Sequence, residues 1–182
     1  MSSPEAVIDN GLPTSTCFMA GTLVHTDYGV TEIEYLEVGS LVLSRSEITG
    51  EQCYRRVTKT FMHHGREIYH VIYATSDGKI DALLTTAEHQ FWVKNIGWTE
   101  AVCLESGQQL EICDPDGRDD VDRPLGHQQW LALSGGRWSA KVVSVTKLSF
   151  KAPIVYNFEV EDFHTYFVGV HGVLVHNKIR VF

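Results

Sequence analysis

The run Ile68-Tyr69-His70-Val71-Ile72-Tyr73, preceded by Val57-Thr58-Lys59-Thr60-Phe61 and followed by His89-Gln90-Phe91-Trp92-Val93, decides the fold class. β-Branched and aromatic side chains in short runs suit a pleated, half-buried surface and fit poorly in a helix. The same order returns later as Val145-Thr146-Lys147-Leu148-Ser149-Phe150, Val155-Tyr156-Asn157-Phe158-Glu159-Val160 and His164-Thr165-Tyr166-Phe167-Val168. The spacing differs between the two sets, so they read as a duplicated β-unit with unequal loops. That duplication places His89 and His164 in related positions across a pseudo-two-fold axis. Chance likeness among short aromatic strands is the competing reading.

Working outward, further strands are expected over Thr22–Thr26, Leu41–Arg45, Val57–Met62, Ile68–Ala74 and Ala82–Thr86, with turns at Asp27-Tyr28-Gly29 and Ser76-Asp77-Gly78. Only Thr31–Gly39, where Ile33, Leu36 and Val38 are unevenly spaced, suggests a short helical turn. The class is therefore all-β. Met1–Thr16 is rich in Ser, Pro, Glu, Asp and Gly and reads as a flexible lead-in, so the fold is expected to begin near Cys17. Asp114–Arg123 has the composition of a solvated loop. A calcium loop is the sharper alternative there, but its glycine arrives two residues early for the EF-hand pattern.

With 182 residues the chain fits one domain that needs no metal or disulfide staple. Its net charge of −8 argues against a surface built for phosphates, so nucleic acid is not an expected partner. No apolar run approaches the roughly 20 residues that cross a bilayer, and Met1–Pro13 lacks the basic start and apolar stretch of a signal peptide. No membrane partner is expected, and the chain is expected to be a monomer. Cys17, Cys53, Cys103 and Cys113 form no C-x-x-C pair and no zinc-like alternation with histidine, so free thiols are the simplest reading.

Three places carry chemistry. Cys17 stands where the lead-in meets Phe18-Met19-Ala20-Gly21-Thr22; alone it reads as a buried small hydrophobe. Thr85-Thr86-Ala87-Glu88-His89 offers a hydroxyl and an imidazole three residues apart, which a tight turn can aim at one peptide group. Alone, His89 reads as a half-buried strand histidine. Gly172-Val173-Leu174-Val175-His176-Asn177 is a short apolar strand closing on a His-Asn pair. An Asn side-chain amide can attack its own main-chain carbonyl, forming a succinimide and expelling the next residue, and a neighbouring His can assist the departing amine.

Taken together and in order, these pieces resemble the Hint superfamily: inteins, bacterial intein-like domains, the Hint modules of polymorphic bacterial toxins and, more distantly, Hedgehog autoprocessing domains. Cys17–Val24 is similar to the first intein block, Thr86–Val93 to the block carrying T-x-x-H, and Val155–Asn177 to the two closing blocks. Tyr156–Gly169 and Gly172–Asn177 look closest to the toxin-associated and bacterial intein-like members. The resemblance implies a horseshoe of long twisted strands with a pseudo-two-fold that brings the chain ends together. It divides the chain into a flanking segment 1–16, a self-processing domain 17–177 and a C-terminal stub 178–182, with a larger secreted bacterial protein as a fitting host.

The implied chemistry has two arms. In the first, the Cys17 thiol attacks the carbonyl of Thr16 to give a thioester, with His89 donating a proton to the Cys17 nitrogen and Thr86 holding the scissile group. In the second, Asn177 cyclises and releases Lys178, with His176 and His164 polarising the carbonyl or protonating the amine. The substrate is the chain's own flanking polypeptide; an external thiol, an amine or water accepts the thioester, and no cofactor or metal takes part. Lys178 stands where a splicing intein has Cys, Ser or Thr, so cleavage is expected in place of efficient ligation. Asn157 stands where many inteins have an acidic residue that supports the first acyl shift, so N-terminal cleavage is expected to be slower or less tightly coupled. The insert Glu105–Lys141 is too short for a homing endonuclease. The rival readings are a Cys-His-Asn thiol protease acting in trans, a histidine metal site drawn from His63, His64, His70 and His171, and an inactive β-rich linker.

Overall fold

Each of the runs picked out as strands is extended in the computed structural model, which describes residues 7–8, 16–64, 67–113 and 139–177. In chain order the strands are β1 (Val7–Ile8), β2 (Phe18–Met19), β3 (Leu23–Thr26), β4 (Gly29–Glu32), β5 (Leu41–Arg45), β6 (Gln52–His64), β7 (Ile68–Thr75) and β8 (Ile80–Thr86). They continue as β9 (Gln90–Val93), β10 (Gly97–Glu100), β11 (Gln109–Glu111), β12 (Ser139–Leu148), β13 (Ile154–Val160), β14 (Thr165–Val168) and β15 (Val173–His176). The helical turn expected within Thr31–Gly39 is a single 3-10 turn over Ile33–Tyr35, and a second covers Ala101–Cys103. Among the described residues, no helix is long and apolar enough to cross a membrane.

The strands form one sheet in the order β1-β6-β13-β2-β8-β7-β12-β11-β9-β15-β14-β3-β4, with β5 on β3 and β6, and β10 on β9. All its strand pairs are antiparallel except β1 on β6. The long strands exchange between halves. β6 pairs with β13 (Phe61 opposite Asn157), and β12 pairs with β7 (Val145 opposite Val71). This all-β strand order carries the pseudo-two-fold that the resemblance implies, swapping β6 with β12, β7 with β13, β3 with β9 and β14 with β15.

The repeat is finer than the strand runs alone convey, and its register differs. Gly29-Val-Thr-Glu-Ile-Glu-Tyr-Leu-Glu-Val-Gly39 matches Gly97-Trp-Thr-Glu-Ala-Val-Cys-Leu-Glu-Ser-Gly107. Both copies open on a glycine in the left-handed region, at φ 107° and 105°, which L side chains rarely adopt. Both close in the same way: Gly39 N–H donates to Val57 O and Gly107 N–H to Val142 O, each at 2.8 Å. Val57 is therefore the mate of Val142, and not of Val145 as the side-chain pattern suggested. Just before the 3-10 turns, Ile33 N–H donates to Thr22 O and Ala101 N–H to His89 O. The mate of His89 is thus Thr22. His164 leads into β14, whose own mate is β15, so the expected His89–His164 equivalence is replaced.

A second difference lies at the start of the chain. The lead-in was expected to be flexible, yet Val7 and Ile8 lie parallel to Phe61 and Met62 as an edge strand. The four cysteines are unbridged. The segment 114–123, weighed for calcium, lies outside the described residues.

The core gathers where the two halves meet. Phe18, Phe91, Phe158 and Tyr166 are fully or almost fully buried. Phe158 and Tyr166 centroids lie 4.3 Å apart, and Phe18 meets Phe91 and Tyr166 edge-on at 6.3 and 6.4 Å. Each such ring contributes about 1.5–3 kcal/mol by leaving water. The cluster also fixes the backbone of β2, β9, β13 and β14 around both chain ends.

Candidate active site

Cys17 enters the site because β2 is wedged between β13 and β8, with Phe18 opposite both Tyr156 and Thr85. Cys17 and Thr16 are both buried, the cysteine completely. The Cys17 N–H donates to Thr86 Oγ1 at 3.0 Å, while the Cys17 carbonyl accepts from Thr86 N–H and from Thr85 Oγ1, each at 2.9 Å. Thr86 grips the nitrogen of the Thr16–Cys17 peptide. Thr85, which the T-x-x-H spacing does not single out, fixes the far side of Cys17.

His89 follows on a tight turn closed by its own N–H to Thr86 O at 3.3 Å. Its ring is fully buried, tilted against Phe18 with centroids 4.1 Å apart and flanked edge-on by Phe91 and Tyr166. Neither ring nitrogen has a hydrogen-bond partner among the described residues. Burial in this apolar pocket, helped by the nearby His176, pushes the His89 imidazole down to about 3. It is neutral at neutral pH and available to accept a proton.

Asn177 arrives from the other side, directly after β15, and is buried. Its backbone N–H donates to His164 O at 2.7 Å, and its side-chain Nδ2 donates to Phe158 O. Asn157 joins the two ends. Its Nδ2 donates to Asn177 Oδ1 at 2.9 Å and to Thr16 Oγ1 at 3.2 Å. Its Oδ1 accepts from Phe158 N–H at 2.8 Å and from the Tyr166 hydroxyl at 3.2 Å. Burial, with Cys17 a lesser cause, holds the Tyr166 phenol well above its ordinary range, so it stays protonated and donates.

The two expected histidine partners of Asn177 are placed differently. His176 is half-buried, with Nε2 at 2.8 Å from Glu47 Oε1. His164 sits at φ 55°, a left-handed position for which histidine is one of the enriched residues, and its side chain is exposed. Its contact with Asn177 is made by its backbone carbonyl and not its ring. Lys178 lies outside the described residues. Among the described residues no group of three or more His, Cys, Asp or Glu side chains could hold a metal ion; His63, His64, His70 and His171 are thus not gathered into one.

Residues from both ends of one exchanged β-sheet, meeting at a buried Cys and a buried Asn, define a Hint-type domain. The chain belongs to the pretoxin Hint domain family, whose sequence model matches residues 23–122 and 127–178. Membership supports self-processing in general, acting on the domain's own flanking polypeptide.

Among solved structures, the chain is similar to the bacterial intein-like domain of Clostridium thermocellum, with 29% identity and a TM-score of 0.68 over 88% of this chain and 98% of that one. A DnaB intein from Synechocystis shares the fold at 19% identity, with a TM-score of 0.63 over 91% of this chain and 100% of that one. The gp41-1 intein does so at 22% identity, with a TM-score of 0.59 over 90% and 100%. No curated protein sequence matches the chain.

Proposed function

We propose that the chain cuts its own backbone before Cys17 and after Asn177, and joins the flanks inefficiently or not at all. The observation that carries this reading is the Asn157 amide, which bonds Thr16 Oγ1 and Asn177 Oδ1 at once and so brings the residues that precede the two candidate cuts into one buried cluster. In the first arm Cys17 Sγ attacks the Thr16 carbonyl carbon. The C–N bond breaks, the acyl group passes to sulfur, and the thiol proton ends on the Cys17 nitrogen. Neutral His89 takes that proton, becomes an imidazolium its apolar pocket disfavours, and so gives the proton up readily to the departing nitrogen. Thr86 Oγ1 holds that nitrogen by its N–H.

In the second arm Asn177 Nδ2 attacks the carbonyl carbon of its own residue, the bond to Lys178 breaks, and the proton lost by Nδ2 is gained by the Lys178 nitrogen. The Phe158 carbonyl, which already accepts from Nδ2, aims the amide, and His176 carries the proton. Lysine at position 178 supplies no hydroxyl or thiol to receive the acyl group, so water, a thiol or an amine does. The complete burial of Cys17 favours action in cis over a thiol protease working on added peptides.

The test is expression between two tags with fragment masses followed over time. Cys17→Ala is expected to lose only the N-terminal fragment and Asn177→Ala only the C-terminal one. An intact precursor in the native chain and both variants returns the protein to a structural linker. A tag–tag ligation product overturns the reading of Lys178.

A further inference from the structure

The turn Ser46-Glu47-Ile48-Thr49-Gly50 between β5 and β6 reads as a surface connection, but its backbone is fixed. Ser46 N–H donates to Glu51 O at 2.8 Å, Gly50 N–H to Ser46 O at 2.9 Å, and Thr49 N–H to Ser46 Oγ at 3.1 Å. This holds Glu47 against the end of β15 with both carboxylate oxygens engaged. Oε1 lies 2.8 Å from His176 Nε2, and Oε2 accepts from Trp98 Nε1 at 2.8 Å. Trp98 in turn packs edge-on against the His176 ring, centroids 5.1 Å apart, and is backed by Trp92 at 5.0 Å. The imidazole is thus gripped at one nitrogen and braced by an indole, and both grips converge on one carboxylate.

We propose that Glu47 is the positioning residue of the C-terminal arm: it fixes the ring of His176 through Nε2, keeps the proton there, and turns Nδ1 toward the peptide bond that Asn177 breaks. The role rests on the Asn177 cyclisation described under Proposed function. A carboxylate on one imidazole nitrogen sets the tautomer, raises the basicity of the other nitrogen and stabilises the imidazolium once it forms. In the step itself, Nδ1 accepts the proton that Asn177 Nδ2 sheds on attacking the carbonyl. The imidazolium, paired with Glu47, then delivers it to the Lys178 nitrogen as that bond breaks. No other reactant is consumed.

Among the described residues, the other charged and titratable groups around this site are His89, Arg45, Lys94 and Glu111. His89, on the turn before β9, acts electrostatically on the same region, its burial and the His176 charge keeping it neutral. Arg45 on β5 and Lys94 after β9 both pair with Glu111 on β11, at 2.8 and 3.6 Å.

The experiment has two readouts. In the chain inactivated by Cys17→Ala and Asn177→Ala, the His176 ring is titrated by NMR with Glu47 present and with Glu47→Gln. Loss of the opposite charge is expected to lower its pKa by about one unit; an unmoved pKa overturns the proposal, and the dispersion of the spectra reports that both chains are folded. In the otherwise native chain, Glu47→Gln is expected to slow C-terminal fragment release about tenfold or more at neutral pH and to move the acid-side rise of its pH profile lower, because the base must be unprotonated to act, and Glu47→Asp to recover part of the rate. Equal rates and profiles for Glu47→Gln and the native chain overturn the role of Glu47 alone. A native chain that releases no C-terminal fragment overturns the cyclisation reading itself, and this role with it.

Discussion

Asn157 uses all of its hydrogen-bonding capacity at the junction of the two chain ends, two bonds donated and two accepted. Asn157→Ala leaves buried groups of Thr16, Asn177 and Tyr166 without that partner, and is expected to lower stability by about 1–3 kcal/mol in a denaturant melt while slowing both arms together. Asn157→Asp keeps the two accepted bonds but sets an oxygen against Asn177 Oδ1, so fragment masses over time should show the C-terminal arm slowed more than the N-terminal one. The sequence marked Asn157 only as a departure from an acidic position. Its bridging could not be read there, because the bonds run to residues at both ends of the chain. Glu47 was invisible for the same reason, since a glutamate in a turn carries no local sign of a distant histidine.

His89 makes a prediction about pH. Its folded pKa, about 3, lies below the ordinary 6.5, because burial disfavours the charged ring. The unfolded chain therefore binds the proton first, and the stability contributed by a neutral His89 is present above about 6.5 and lost as pH falls toward about 3. In a chain inactivated at Cys17 and Asn177, the melting temperature should drop through this window. His89→Leu should flatten the drop; an equally steep decline in that variant would place its origin elsewhere.

At the scale of elements, β15 depends on Gly172. That residue sits at φ 64°, and a Cβ built on it would lie 2.0 Å from Cys113 Sγ and 3.2 Å from the His25 ring. Gly172→Ala is expected to cost about 1–3 kcal/mol by overpacking and by strain at its left-handed φ, and to slow release at Asn177, because the displaced strand leads directly into that residue. Adding Cys113→Ala should recover the part due to the sulfur clash and leave the part due to the left-handed φ, so the melting temperature and rate return only in part. Element identity was largely legible: Leu41–Arg45 is extended over the residues its pattern marks, and Ile68–Ala74 gains one residue. β6 begins five residues earlier than Val57, at Gln52, because the Gln52–Arg56 stretch pairs with β5; with Gln52 and Arg56 exposed and Arg55 charged, no apolar run marks it. The register of the duplication was hidden because glycine turns carry it, and not the aromatic runs that draw the eye.

At the scale of the molecule, the exchange of β6 and β12 between halves means that neither half holds a complete sheet. The two exchanged ladders, β6 with β13 and β7 with β12, join residues distant in sequence, which predicts slow folding, in milliseconds to seconds. Fragments 1–113 and 114–182, made separately, should each lack a dispersed NMR spectrum and regain one on mixing. A well-dispersed spectrum from either fragment alone would show that the exchange is not needed for its fold.

The edge strand Val7–Ile8 gives covalent severance a different meaning from departure. It lies upstream of the proposed cut at Cys17 and is laddered onto β6, so a severed N-terminal flank remains a bound guest on the rim of the sheet. Its escape is then a dissociation event, set by the short ladder and by whatever else competes for that rim. A flank that has been cut can still travel with the domain that cut it.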